Sequence, residues 1–538
     1  MTVLIAGAGP VGMTLALELA RHGIPSRMFE RAFTTTRHPK MDITNGRSME
    51  LFRRLGLARK LRAAGVPDTH PLDVAWVTSM AGHELHRFKY APPAELRARY
   101  HTINDGAQPL EPAMRVSQIV VEPILQAAVL AEPLIDARWS MAVEGARQSA
   151  TGVWIDVRDR ETDQVQRVEG AYLAGCDGGN STVRNAMDIG LEGDTGVANR
   201  YMIHFKSDDR AMLQRFGVAW HYQSPAGTLI AQDDIDTWTL HARFPDVVDP
   251  DSVDPMDTLR AFLGADITAE ILVANPWEPH LLLADAYQMG RVFLAGDAAH
   301  QYIPTGGYGM NSGIGDAVAL GWMLAATLNG WGGPALLAAY AAERRPIGGI
   351  NRGWSGRHTS VRIAIMEAYQ AHPNAATDAG ERASLAAAIA ALGNLENEAW
   401  GVEFAYRYDA SPLVAPILAV DPGVAPPDDP AAIPATAWPG MRAPSFILPD
   451  GRALFDLFDR SGFTLLCFNS ALDTAVMEQT GAPVKRIDLV FDVARDVYGA
   501  DLALIRPDGH LAWRGNAPSA WAVRVAAGAA AESSLPDA

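Results

Sequence analysis

Cysteine is nearly missing from this chain. Two in 538 residues, Cys176 and Cys467, build neither a disulfide framework nor a cysteine metal centre. Such scarcity fits a reducing compartment. Long apolar runs are missing too: the longest candidate, 317–328, falls short of the ~18 residues a membrane span needs. Basic residues are outnumbered, 45 Lys and Arg against 62 Asp and Glu, for a formal charge of −17. That balance argues against nucleic acid and against an anionic membrane surface as partners. The first strand-like run begins at residue 3, so no signal peptide is expected and a cytoplasmic location is the expectation. No internal repeat is present. What the chain has is length and a 48% apolar content, enough for more than one cored domain.

Three glycine-bearing segments stand far apart. In the first, the apolar run Val3–Ala6 reads as a buried parallel strand and is followed by Gly7-Ala8-Gly9-Pro10-Val11-Gly12. This is the G-x-G-x-x-G pattern of a dinucleotide site. Gly7 makes the turn, Gly9 admits a pyrophosphate, and Gly12 lets the next helix pack on the strand. Met13–His22 has helical spacing, Gly23 suits its C-cap, and Ser26–Phe29 reads as a second strand. Glu30 at that strand's end is placed to accept ribose hydroxyls, with Arg31 beside it. A glycine-rich turn without a ligand is the alternative, but strand, helix and acid all sit at the required spacing.

The second segment is Gly175-Cys176-Asp177-Gly178. The third runs from Gly290 through Gly296-Asp297 to His300, then Pro304, Gly306, Gly307, Gly309, Met310 and Asn311. Proline fixes the backbone and the glycines allow it to lie against a flat ligand. Met310–Leu328 reads as a helix whose N-terminal amides would face that ligand. Asp177 could instead be an ordinary turn residue, and Asp297 a helix cap.

Taken together, the three segments resemble the class A FAD-dependent aromatic monooxygenases, the family of para-hydroxybenzoate hydroxylase and phenol hydroxylase, over roughly the first 370 residues. The resemblance implies an FAD held by the first glycine set, by Glu30 and Arg31, and by Asp177 and Gly296-Asp297. It also implies Arg47 near the pyrophosphate, with Arg115 and Gln118 lining the flavin. Pro304, Gly307, Gly309, Met310 and Asn311 would flank the reactive flavin edge. The implied reaction consumes NADH or NADPH and O₂, and hydroxylates a phenolic or polyketide aromatic through a flavin C4a-hydroperoxide. No second dinucleotide motif is present, so the nicotinamide cofactor is expected to dock transiently.

The base that ionises a phenol is expected at Asp42, which matches an aspartate of phenol hydroxylase; a water-facing loop carboxylate is the other reading. His221, Tyr222 and His241 are further candidates on strands whose alternation sends Thr239, His241 and Arg243 to one face. Baeyer–Villiger oxygenation of a polycyclic ketone is the alternative outcome. A flavin halogenase would carry a Trp-x-Trp-x-Ile-Pro motif, which the chain lacks, and a non-catalytic binding protein leaves the 304–311 loop unexplained.

The expected fold is α/β. A discontinuous FAD-binding Rossmann-like domain occupies 1–75, 106–188 and 278–370. An inserted substrate domain on a mostly antiparallel sheet occupies 76–105 and 189–277. Its strands are expected at Val74–Thr78, Tyr201–Lys206, Val218–Tyr222 and Thr237–Phe244. A helix, Ala375–Leu392, and a Pro/Asp-rich link including 420–422 fill 371–435. Residues 436–538 resemble a thioredoxin-like C-terminal domain, with strands expected at Phe463–Phe468, Ile487–Phe491 and Leu502–Ile505. Cys467 has no nearby partner cysteine, so that module is read as structural, with a homodimer possible. The substrate is expected to be a small aromatic molecule.

Overall fold

Val3–Ala6 is fully buried and sits inside a six-stranded sheet. The strand order is Gln288–Met289, Val292–Leu294, Tyr172–Gly175, Val3–Ala6, Ser26–Phe29, Ile135–Arg138, and all pairs are parallel except the first hairpin. The computed structural model describes residues 2–196, 199–244, 249, 252–415 and 424–529; the expected link at 420–422 lies outside the described residues. Both faces of this sheet are covered, which is why its strands read as unbroken apolar runs. The helix Pro10–Arg21 packs on one face, and against it lies the 21-residue helix Tyr308–Leu328. Sixteen of that helix's residues are buried, so it is a core element rather than an amphipathic surface helix.

The second large sheet has seven strands in the order Glu270–Trp277, Asn199–Lys206, Thr237–Phe244, Gly227–Ala231, His221–Ser224, Val74–Val77, Glu84–Phe88. All its pairs are antiparallel except that between His221–Ser224 and Val74–Val77. Thr237–Phe244 alternates as expected. Trp238, Leu240 and Ala242 join a core cluster with Tyr201 and Phe205, while His241 and Arg243 point to the other face. The sheet begins at Val74, ahead of the expected division at 76, because Val74 pairs with both His221 and Phe88. The strand expected at 218–222 is shifted to His221–Ser224, where it can pair with Gly227–Ala231 across a short turn.

Two other elements also shift. The alanine-rich helix starts at Ala379, where the Asp378 side chain accepts the Glu381 N–H as an N-cap. In the last module the strand expected at 487–491 lies at Val484–Asp488, aligned residue for residue with Phe463–Cys467. This module carries a four-stranded sheet in the order Val484–Asp488, Phe463–Cys467, Leu502–Ile505, Leu511–Gly515, with the helix Ala520–Ala526 packed on it. Cys176 and Cys467 are both buried and unbridged. No helix among the described residues is long and apolar enough to cross a membrane.

Buried charge joins the last module to the rest. Both terminal nitrogens of Arg506 donate to Glu343, at 2.6 and 2.7 Å, and one also donates to Asp508 at 2.6 Å. Trp322 on the central helix donates its indole N–H to Asp508. Nearby, Glu50 accepts from Arg442 and Arg47. These groups have almost no contact with water, so each charge depends on its partner. Arg506→Met would leave Glu343 and Asp508 short of a counter-charge and is expected to cost about 3–5 kcal/mol. Calorimetry should show a clearly lower Tm; an unchanged Tm would mean the network does not hold the module.

Candidate active site

Two cavities share a wall between the two large sheets. The first, of about 1010 Å³, follows the C-terminal ends of the parallel strands, where ligands of doubly wound sheets bind. Its lining includes Gly7, Gly9, Pro10, Val11, Glu30, Arg31, Gln118, Asp177, Asp297, Pro304, Gly307, Gly309 and Met310. A Cβ on Gly7 would lie 2.3 Å from the Cys176 carbonyl oxygen, and one on Gly12 would lie 2.1 Å from the Gly7 carbonyl oxygen. Those two glycines are forced by backbone packing. Gly9, Gly178 and Gly309 differ: a Cβ there would meet nothing within 4 Å. Gly178 is left-handed at φ 82°, which by itself favours glycine. At Gly9 and Gly309 packing among protein atoms does not require glycine, whereas a ligand lying against the backbone would.

The acids of this cleft are firmly placed. Glu30 accepts the Ala8 and Ala32 N–H groups, both at 2.8 Å, which sets its carboxylate at the cleft wall with lone pairs to spare. Asp177 accepts from the Ser181 hydroxyl and from the Val183 N–H at 3.1 Å. Burial outweighs those bonds and raises its pKa above the ordinary value. Asp297 is exposed to the cleft on the turn Gly296–Ala298. Behind it, Asp316 accepts the Gly296 N–H at 3.1 Å, the His300 ring at 2.9 Å and the Arg344 guanidinium at 2.8 Å. Burial opposes the Asp316 charge, but Arg344 and His300 prevail and hold its pKa below the ordinary carboxylate value.

The second cavity, of about 840 Å³, lies between the seven-stranded sheet and the 304–307 loop. Asp42, Ile43, Pro304 and Gly307 line both cavities, so the two meet there. Asp42 Oδ2 accepts the Trp220 indole N–H at 2.6 Å and sits 3.2 Å from His221 Nε2. Burial raises the Asp42 pKa, yet His221 and Trp220 more than offset it, so the carboxylate stays ionised. His221 Nδ1 and His241 Nδ1 are buried without a hydrogen-bond partner. Burial pushes His241 down to about 4, so it is neutral at physiological pH.

Several expected site residues lie elsewhere. Arg47 faces away from the dinucleotide cleft: its guanidinium donates to Glu50, one helical turn on, and to the Asp508 carbonyl at 2.9 Å. Arg115 ties Asp234 and the Ala231 carbonyl together and lines neither cavity. Tyr222 falls on the opposite strand face from His221 and donates its hydroxyl to the Gly217 carbonyl within the core. Asn311 also lines neither cavity. Its amide clamps the Ile43–Asn45 segment to the 304–307 loop, donating to the Ile43 and Gly307 carbonyls and accepting the Asn45 N–H. Gly12 and Gly296 line neither cavity: Gly12 packs on the Gly7 carbonyl, while Gly296 makes a left-handed turn at φ 63° against the Val11 side chain.

Other lining residues escape sequence reasoning. Glu396 pairs with Arg362 and accepts the Gly306 N–H at 3.1 Å, tethering the loop. Glu403 lines the cavity with no polar partner, and burial alone pushes its pKa up to about 8. Gln232 is buried with both amide atoms unpaired. Nothing in the local pattern of 396–403 distinguishes these acids from surface ones.

A family model described as "FAD binding domain" matches residues 1–350, and one described as "Aromatic-ring hydroxylase, C-terminal" matches 436–533. The chain is 36% identical to the FAD-dependent monooxygenase apdD of Emericella nidulans, over 96% of this chain and 87% of that protein. It is similar to RebC, a rebeccamycin biosynthetic enzyme solved with reduced flavin, at a TM-score of 0.85 and 33% identity, covering 98% of this chain and 99% of the other. It also matches the flavin-dependent monooxygenase PieE, solved with FAD and substrate, at a TM-score of 0.87 and 27% identity, covering 98% of each chain.

Two measurements check the site. Asp297→Ala should lower the FAD-to-protein ratio on purification, and a wild-type ratio would remove Asp297 from the cofactor site. Glu403 is ordinarily ionised above pH 4.5 but stays protonated in the folded chain to about pH 8, so its contribution to stability is full below 4.5 and is lost as pH rises through 8. Thermal unfolding across that window should fall more steeply for the native protein than for Glu403→Gln; parallel slopes would show Glu403 ionises normally.

Proposed function

Because the chain belongs to the FAD-binding aromatic-ring hydroxylases, we propose that it hydroxylates a polycyclic phenol, with the second cavity as the substrate site and the Asp42–His221 pair handling the substrate proton. It is an FAD-dependent monooxygenase, with O₂ and a reduced nicotinamide as co-substrates. FAD, when bound, supplies the two-electron store and the centre that reacts with O₂. The observation that carries the assignment is the junction of the cavities. A ring in the second one meets the cofactor cleft at Asp42, Ile43, Pro304 and Gly307.

The residues divide the work. Asp42, held ionised, fixes the ring of His221 through Nε2. That bond leaves Nδ1 with a lone pair and no protein partner. A phenol hydroxyl that reaches the Asp42–His221 pair passes its proton to a ring whose positive charge Asp42 stabilises. Asp42 thereby serves the base rather than being the base. The N-terminus of Tyr308–Leu328, with Gly307 in a left-handed conformation at φ 64°, turns free amides and a partial positive charge toward the same junction.

The primary test is oxidation of NADH and NADPH by the purified yellow protein with polycyclic phenols, measuring hydroxylated product beside H₂O₂. A phenol that raises nicotinamide consumption and appears as product supports the reading. Peroxide alone from every phenol would overturn it and turn attention to ring ketones. Asp42→Asn and His221→Gln should each cut product formation by about 10²- to 10⁴-fold and divert O₂ to H₂O₂. Product at the native yield from either variant would remove the pair from the reaction.

A further inference from the structure

Arg200 and Arg243 are directly opposite each other on neighbouring antiparallel strands, and both side chains line the second cavity. Cross-strand partners stand about 5 Å apart at Cβ, and like charges placed so destabilise a sheet. Neither arginine has a carboxylate partner among the described residues. Arg200 donates to the Asn199 carbonyl, while Arg243 donates to the Ser224 carbonyl and contacts the Met366 sulfur. Burial first, then the charges of Arg362 and Arg200, push Arg243 down to about 9. Burial and Arg362 lower Arg200 in the same way. Among the described residues the nearby acid Glu396 is already committed to Arg362 and to the Gly306 N–H.

The rest of the lining adds to the imbalance. Lys40, Lys89 and Arg99 also face this cavity, and none of them has an ion pair among the described residues. Of the other acids in the wall, Asp42 is bound to His221 and Trp220, and Glu111 to Arg53 and Arg62. Glu403 is uncharged below about pH 8. Lys40, Lys89 and Arg99 are solvent-exposed, so the less accessible unpaired cations of the pocket, among the described residues, are Arg200 and Arg243. Beside Arg200, on the neighbouring strand, the Asn275 Oδ1 and the Trp277 indole N–H are buried without partners among the described residues. Each of these costs free energy unless a ligand pairs with it.

We propose that Arg200 and Arg243 form a carboxylate-binding subsite, so that the substrate is an aromatic acid anchored by its carboxylate at the sheet while its phenolic ring lies at the Asp42–Gly307 junction. This rests on the assignment of the second cavity as the substrate site. A planar carboxylate between two guanidinium groups can accept from both, and it cancels the repulsion that the empty pair carries. Anchoring at the sheet also fixes which ring carbon reaches the cofactor.

The test compares two anthraquinones of one shape by calorimetry on the FAD-loaded protein. Rhein carries a carboxylate where aloe-emodin carries a hydroxymethyl group. Rhein should bind with a Kd at least about ten-fold lower, the scale of one charge-assisted contact. Arg243→Met and Arg200→Met should each erase most of that preference, with FAD content reporting that the variants fold. Arg243→Lys, which keeps the charge and loses the fork, should keep part of it. Equal affinities, no binding of either compound, or a preference that survives both methionine variants would overturn the proposal. A raised KM for NAD(P)H with the rhein preference intact would also overturn it, assigning the arginines to the nicotinamide phosphates. If neutral phenols are hydroxylated while aloe-emodin is preferred, the hydroxylase reading stands and the carboxylate subsite falls. If no phenol is hydroxylated but rhein is preferred, the reverse holds.

Discussion

A carboxylate without access to water organises this site. Asp316 lies midway along the buried helix Tyr308–Leu328 and can stay charged only while Arg344, His300 and the Gly296 N–H surround it. Those three partners come from three parts of the chain: the long helix Leu336–Ala371, the strand after the Gly296 turn, and the turn itself. Satisfying one buried charge therefore brings Asp297 to the cleft and sets the start of the loop that leads to Pro304 and Gly307. The His300 ring then stacks on Tyr302 at 4.7 Å, which carries the constraint one step further along the loop.

The same physics links the C-terminal module to the catalytic half. Glu343 and Arg344 are adjacent on the long helix; one is bound to Arg506 and the other to Asp316. Tyr408 closes the gap, with its hydroxyl on Arg344 and the Arg506 guanidinium over its ring. A module with no redox cysteine pair thus meets the cofactor half through buried ion pairs that tolerate little displacement. The arrangement fits a structural part for residues 436–529, which brace the helices behind the flavin loop.

The two sides of the junction carry charge differently. The cofactor cleft has Glu30, Asp177 and Asp297 at its wall, with Arg31 and Arg160 also in its lining. In the second cavity the unpaired groups are cationic or neutral donors and acceptors. On the proposed assignment, a substrate there would lie between a positive sheet and the ionised Asp42, and an acid would be oriented by the field before any specific contact forms.

Short-range pattern was enough for much of this protein. The strand–glycine–helix start, the strands at Val3–Ala6, Ser26–Phe29, Thr237–Phe244 and Leu502–Ile505, and the face on which His241 and Arg243 lie all follow from apolar runs and period-two alternation, which act over a few residues. The lining positions Gly7, Gly9, Glu30, Asp177, Asp297 and Gly307 were legible for the same reason, since each motif must close its own turn. Long-range pairing was not legible. That Arg47 turns to Asp508, that Arg115 reaches Asp234, and that Asn311 clamps Ile43 depends on which distant segment packs alongside, and no local period encodes it. The pairing of Arg200 with Arg243 belongs to the same class. Two arginines more than forty positions apart become neighbours only when their strands pair in one register, and burial then turns ordinary surface cations into a site. Sequence alone thus determined the cofactor class and the chemistry it serves, because a dinucleotide is held by contiguous backbone. Tertiary structure decided the lining of the second cavity, because those side chains are gathered from segments spread along the chain.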